Sequence, residues 1–204
     1  MKKLKLAMYV SLDDVVEAPA WTGPFWNDQL SDLQAEYLYS SDALVLGRVT
    51  YEGFAASWPS MEEQTGDFGR KMNSMPKHVA SRTLAQMEWN AMPLEGDAVT
   101  AVSQLKEGDG GDLLIYGSGT LVDDLTRHGL IDEYRLMVHP VLVGSGKKLF
   151  ETIEQPVTLR LQDVTTTDTG VAVLTYTSGQ RFGQTELATI VGVLPGRVIQ
   201  KCDQ

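Results

Sequence analysis

The stretch Ile115-Tyr-Gly-Ser-Gly-Thr-Leu-Val-Asp-Asp-Leu125 decides how the chain is read. An apolar run, "DLLIYG", stops at two glycines one residue apart, and an amphipathic pattern begins at once. That is a buried strand, a tight turn and a helix from Thr120 to His128, ended by Gly129. Helix starts expose N–H groups and the positive end of the peptide dipole, so such a turn can cradle a phosphate. Glycine lets the backbone approach the ligand. The fingerprint G-x-G-x-x-G is incomplete, because Val122 stands at its third glycine. Phosphate cradle and plain strand–helix turn both fit this stretch alone.

The same grammar recurs upstream. "DALVLGRVTYE" is a covered strand, Gly47, Arg48, and a helix opening at Val49-Thr50. A guanidinium beside a helix start suits an anion, as it suits a surface turn. "KHVAS" is a further strand, with Ser81, Arg82 and Thr83 at its end. In an open α/β sheet the loops after parallel strands line one crevice. The turn at Gly117 is therefore a phosphate cradle if Arg48 and Ser81 share its rim.

Outward from these turns the chain alternates strand and helix. Leu4–Val10 reads as a strand and Ser11–Trp26 as a loop. Asn27–Ser40 is a helix with Leu30, Leu33, Tyr37 and Leu38 on one face. A helix spans about residues 49–57, and residues 62–74 are helical, with Gly66 and Gly69 against it. "MEWNAM" is a strand, and Asp97 caps a helix to about Lys106. Then the pattern changes: "EYRLMVH", "VTLRLQDV" and "GVAVLTYT" are strands with no helix between them. The expected fold is three-layer α/β/α, with a mixed, mainly parallel central sheet and antiparallel C-terminal strands. Residues 1–179 form that domain, and 180–204 are an extra hairpin or a disordered tail.

Composition bounds the function. The 204 residues are 43% apolar and 22% charged, with net charge −10, which disfavours a nucleic-acid binder. The single cysteine, Cys202, permits no internal disulfide and no thiolate metal cluster, so no metal is expected. After the basic start, the short apolar run is interrupted by Lys5 and closed by Asp13 and Asp14, a poor signal peptide, and no run is long enough to span a membrane. The cytoplasm is the expected compartment.

"SLDD", "DALVLGRVTYE", "KHVASRTL" and "GSGTLVDDLTRHGLIDEYRLMVHPVLVGSGKKLF" resemble the dihydrofolate-reductase-like superfamily over residues 3–178. The nearest branch is the reductase domain of bacterial riboflavin biosynthesis (the RibD C-terminal domain) and its stand-alone relatives. The resemblance implies NADPH, an eight- or nine-stranded mixed sheet and a homodimer. It matches Gly47, Arg48 and Thr50 to a cofactor phosphate loop. Ser81 and Arg82 match the neighbourhood of the adenosine 2′-phosphate, and Gly117, Ser118, Gly119 and Thr120 the pyrophosphate turn. Asp14 stands where that branch has glycine. The zinc deaminase that often accompanies the domain needs P-C-x-x-C, which one terminal cysteine cannot supply.

The substrate side is carboxylate-rich. From residue 6 to 47 there is no Lys or Arg, but there are seven carboxylates, with Trp21, Phe25 and Trp26. Trp21 and Trp26 are candidates to stack on a flat heterocycle. Asp13, just past the first strand, and Asp32 are candidate proton donors near a C=N bond. Asp32 sits where pterin reductases carry an acid. Asp28, Asp32 and Glu36 also fit a solvated helix face, and Asp13 a turn carboxylate. His139, in "VHPVL", reads as a packed strand histidine. The expectation is an NADPH-dependent reductase of a C=N or C=O group in a small pterin- or pyrimidine-like heterocycle, neutral or cationic because the local field repels anions. The alternative is a non-catalytic NADPH-binding dimeric sensor or interaction module. A short-chain dehydrogenase is set aside for want of Y-x-x-x-K.

Overall fold

The computed structural model describes residues 1–84 and 86–179. The reading of 180–204 as hairpin or tail lies outside the described residues. Among the described residues eight strands form one sheet: β1 (Leu4–Ser11), β2 (Ser41–Gly47), β3 (Lys77–Ala80), β4 (Ala91–Pro93), β5 (Asp112–Tyr116), β6 (Glu133–His139), β7 (Leu159–Thr166) and β8 (Ala172–Ser178), in the order β4-β3-β2-β5-β1-β6-β8-β7. The pairings from β4 to β6 are parallel, and β8 and β7 add antiparallel strands at one edge. The mixed sheet follows from the switch in sequence pattern after residue 130.

Helices cover both faces. On one, α1 (Asp28–Tyr39), α2 (Arg48–Thr65) and α3 (Asp67–Ser74) bury Leu30, Leu38, Tyr51 and Met72 against Leu44, Leu46, Val79 and Leu114. On the other, α4 (Ala98–Glu107) and α5 (Gly119–Arg127) bury Val102, Val122 and Leu125 against Leu6, Val45, Leu113 and Ile115. Successive strand residues thus feed opposite cores, which is why the central strands are apolar throughout. Arg135 of β6 clamps α1: its guanidinium donates to the Leu33 carbonyl at 2.7 Å, pairs with Glu36 at 3.2 Å and lies 3.5 Å from the Tyr37 ring centre.

Three boundaries differ from the sequence reading. The helix expected to end near Ser57 runs through Pro59 to Thr65, because Phe54, Trp58 and Met61 keep one apolar stripe in register and its packing offsets one missing N–H. Gly66, at φ 58°, then breaks the segment expected as one helix over 62–74, so only Asp67–Ser74 forms α3. "MEWNAM" contributes only Ala91–Pro93 to the sheet, since Trp89 and Asn90 turn left-handed before it. Inside the loop Ser11–Trp26, residues Pro19–Phe25 wind into a 3₁₀ turn. No helix of the described residues is long and apolar enough to cross a membrane.

Candidate functional site

β2 and β5 are neighbours, yet the helices that follow them leave to opposite faces of the sheet. That opens a crevice at their carboxyl ends. The two turns there are stapled together. The Gly47 N–H donates to Ser118 Oγ at 2.9 Å, and the Ser118 N–H donates to Thr50 Oγ1 at 3.0 Å. Gly117 has φ 59°, and a Cβ on it would lie 3.2 Å from the Thr50 side chain, so this turn requires glycine.

The helices opened by these turns lack side-chain caps, at Gly47 for α2 and Ser118 for α5. By contrast Asn27 caps α1 and Asp97 caps α4. First-turn N–H groups have no intrahelical acceptor. At α2 and α5 they belong to residues that line one cavity: Val49, Thr50, Gly119, Thr120 and Leu121. Lys147 joins them, its ammonium donating to Thr120 Oγ1. A cation at the positive end of a helix is unfavourable by itself, and an anion shared by both makes the pair attractive. Lys147 was not singled out from sequence. Its signal was a second Gly-Ser-Gly, Gly144–Gly146, directly before it.

The cavity holds about 1080 Å³ and lies between α1, α2 and α3 over the ends of β1, β2 and β5. Pockets for one small ligand span about 300–1,000 Å³, so this one has room for a cofactor head with a second small molecule. Gly47, Thr50 and Gly117 to Thr120 line it; Arg48, Ser81 and Arg82 do not. Arg48 is half exposed and paired with Glu52 at 2.8 Å. Ser81 lies beyond Ala80, which is in register with Gly47, so the third loop does share the rim. There Ser81 Oγ accepts from the Thr83 and Leu84 N–H groups, and Arg82 is exposed. Among the described residues no His, Cys, Asp and Glu gather as metal ligands.

On the opposite wall Asp32 and Trp26 line the cavity, while Asp13 and Trp21 do not. Asp13 accepts from the Val143 and Gly144 N–H groups at 3.0 and 2.7 Å and from Ser11 Oγ at 2.6 Å. These bonds, led by Ser11, hold its carboxyl well below the usual range. It ties the loop after β1 to the loop after β6. Trp21 donates its indole N–H to the Glu17 carbonyl and packs edge-to-face with His139, ring centres 5.4 Å apart. His139 is fully buried, ringed by Tyr9, Trp21 and Phe25, with no hydrogen-bond partner for Nε2 among the described residues. Burial lowers its pKa.

Tyr9 was also missed. It lines the cavity between Trp26 and His139, with ring centres 6.1 and 5.6 Å away, and burial raises its pKa. It lies inside an apolar strand run, where one tyrosine reads as core. Gln34 lines the same wall, and its buried Oε1 has no hydrogen-bond partner among the described residues. The arrangement can bind an anion along the rim and a flat, weakly polar ring beside α1, with Asp32 in reach of the same cavity.

The defining pattern of the RibD C-terminal domain matches residues 2–173. The uncharacterized protein YyaP of Bacillus subtilis (strain 168) is 29% identical over 143 residues, covering 69% of this chain and 76% of YyaP. Among solved structures, a candidate riboflavin biosynthesis protein from Shewanella sp. PV-4 superposes with a TM-score of 0.71 at 21% identity, over 88% of this chain and all of its own. The diaminohydroxyphosphoribosylaminopyrimidine deaminase/5-amino-6-(5-phosphoribosylamino)uracil reductase of Thermotoga maritima superposes with a TM-score of 0.63 at 14% identity, over 87% of this chain and 57% of that one. At these identities the structures share the fold.

Proposed function

The chain belongs to the RibD C-terminal domain family, and from that premise we propose that it is an NADPH-dependent reductase of a C=N or C=O group in a small heterocycle. One observation carries the reading: two cross-stapled glycine turns aim two uncapped helix starts, with Lys147, into one cavity. The residues fit a dinucleotide. Gly117 and Gly119 give the backbone close approach, Thr50, Ser118 and Thr120 supply hydroxyls, and Lys147 supplies charge. Arg48, with Ser81 and Arg82 one strand further along the rim, would select the 2′-phosphate. When bound, NADPH supplies the hydride.

The chain's own residues do the rest. Tyr9 and Trp26 flank a flat substrate, and the apolar walls exclude water. Asp32 holds the proton for the heterocycle nitrogen or oxygen. The test is NADPH oxidation, followed by absorbance, over a panel of pterins and pyrimidines. The reading expects turnover with at least one of them, abolished or strongly reduced in Asp32→Asn. Tight NADPH binding with no turnover across the panel would favour a non-catalytic cofactor-binding module. That second reading draws on one observation, the commitment of Asp13 to backbone N–H groups.

The chain pairs as a homodimer through the antiparallel edge. In support, β7 is an edge strand with Leu161 and Val164 half exposed, a face and an edge that need cover. Light scattering at micromolar concentration should give twice the chain mass, and a monomer would refute the pairing.

A further inference from the structure

Between them α2 and α3 line the cavity mainly with Phe54, Trp58, Met61, Phe68 and Met72, and the end of α2 adds the neutral polar Gln64 and Thr65. Among the described lining residues the charged ones are Glu17, Asp32 and Lys147, and none stands on α2 or α3. Lys147 is bonded at the phosphate turn, and Glu17 Oε2 accepts from the Lys147 N–H. A phosphorylated side arm entering between α2 and α3 would therefore meet aromatic rings, thioethers and two neutral polar side chains, with no cation to replace its water.

This limb is built, and its shape is fixed from behind. Phe54 and Phe68 lie 6.3 and 5.6 Å from Trp58, and Trp89 backs Phe54 at 6.5 Å. Asn73 of α3 gathers the backing. Its side chain donates to the Trp58 carbonyl and to Glu62, and accepts from the Trp89 indole at 2.8 Å. Its carbonyl accepts from the buried Lys77 ammonium, which lies 3.9 Å from the Trp89 ring centre. Polar bonding behind an aromatic lining holds the rings open to the cavity, while Met61 and Met72 add walls that adapt to a ligand.

We propose that this limb is a binding site for an uncharged aromatic substituent, so that the substrate is a heterocycle carrying such a group and not a phosphorylated ribityl chain. The proposal rests on the reductase reading for what happens at the heterocycle, but its binding test does not. The probe is N-phenyl-1-naphthylamine, a neutral aromatic amine that fluoresces when buried, titrated into the whole chain. One saturable site is expected, and a benzyl-substituted pterin should displace the probe better than its unsubstituted parent. Met61→Glu places a carboxylate in the limb and should weaken the probe by at least about tenfold. Trp58→Leu, which keeps the limb apolar, should weaken it less. Both should keep the wild-type NADPH affinity. Absence of saturable binding, equal binding by Met61→Glu, or equal displacement by the two pterins would overturn the proposal. If the probe binds as expected and NADPH does not bind, the limb stands and the reductase reading fails.

Discussion

The two walls of the cavity are made differently. The proposed phosphate rim is backbone: two glycine turns, two helix starts and hydroxyls that staple one turn to the other. The proposed substrate wall is side chains, and their roles are set by segments far apart in sequence. Asp13 meets Val143 and Gly144 some 130 residues away, and α1 takes its place through Arg135. A backbone site is specified within a few consecutive residues, whereas a side-chain site depends on which loops meet.

The largest expected effect tests the backbone side. Gly117→Val forces a branched residue into a left-handed turn and into Thr50, breaking the staple. The conformational cost alone is roughly 1–2 kcal/mol, so NADPH affinity should fall at least about tenfold by calorimetry. Wild-type affinity in that variant would show that the turn does not carry the cofactor.

Next comes a contrast between the two carboxylates. Asp32→Asn should lower kcat by about 100-fold while leaving NADPH affinity and thermal stability unchanged. Asp13→Asn should do the reverse, lowering the melting temperature with a much smaller effect on kcat. Reversed outcomes would exchange their roles.

On the rim, Lys147→Ala should weaken NADPH by about tenfold, the scale of one charge-assisted bond. Arg48→Ala should have a smaller effect, because Arg48 is half exposed and already paired with Glu52. It should narrow the preference for NADPH over NADH without abolishing binding. Equal affinity for the two cofactors in the wild type would remove the role of Arg48, Ser81 and Arg82.

The smallest effect is on pH. Burial lowers the pKa of His139 in the folded chain, so below about pH 6.5 the unfolded chain takes up protons first. Stability from this group is therefore present above that pH and lost as pH falls. His139→Phe keeps the aromatic contacts and removes the titration. It should flatten the decline of melting temperature between about pH 7 and 5, on either side of the ordinary histidine pKa of about 6.5. An unchanged slope would mean that another group, such as His78, dominates.

The legible parts of the sequence follow the same division. Covered strands, the Gly47 and Gly117 turns and the antiparallel finish were readable because each depends on local periodicity and glycine. The extension of α2 through Pro59 was not, since the apolar stripe outweighs the proline only once the cavity exists. Lys147 went unassigned because its loop comes back to α5 only in three dimensions, through the pairing of Val15 with Lys148. Trp21 and Trp26, five residues apart, look alike as a sequence, yet the 3₁₀ turn that contains Trp21 and ends at Trp26 sends one to His139 and the other to the cavity.

The central claim is that the cross-stapled turns hold a dinucleotide phosphate. An NADPH titration followed by amide nitrogen–proton NMR tests it at the backbone itself. The account predicts the largest shifts at residues 47–51 and 117–121, with α4, capped by Asp97 and outside the cavity lining, unmoved. No shifts in those two segments at saturating NADPH, or shifts centred elsewhere, would contradict it.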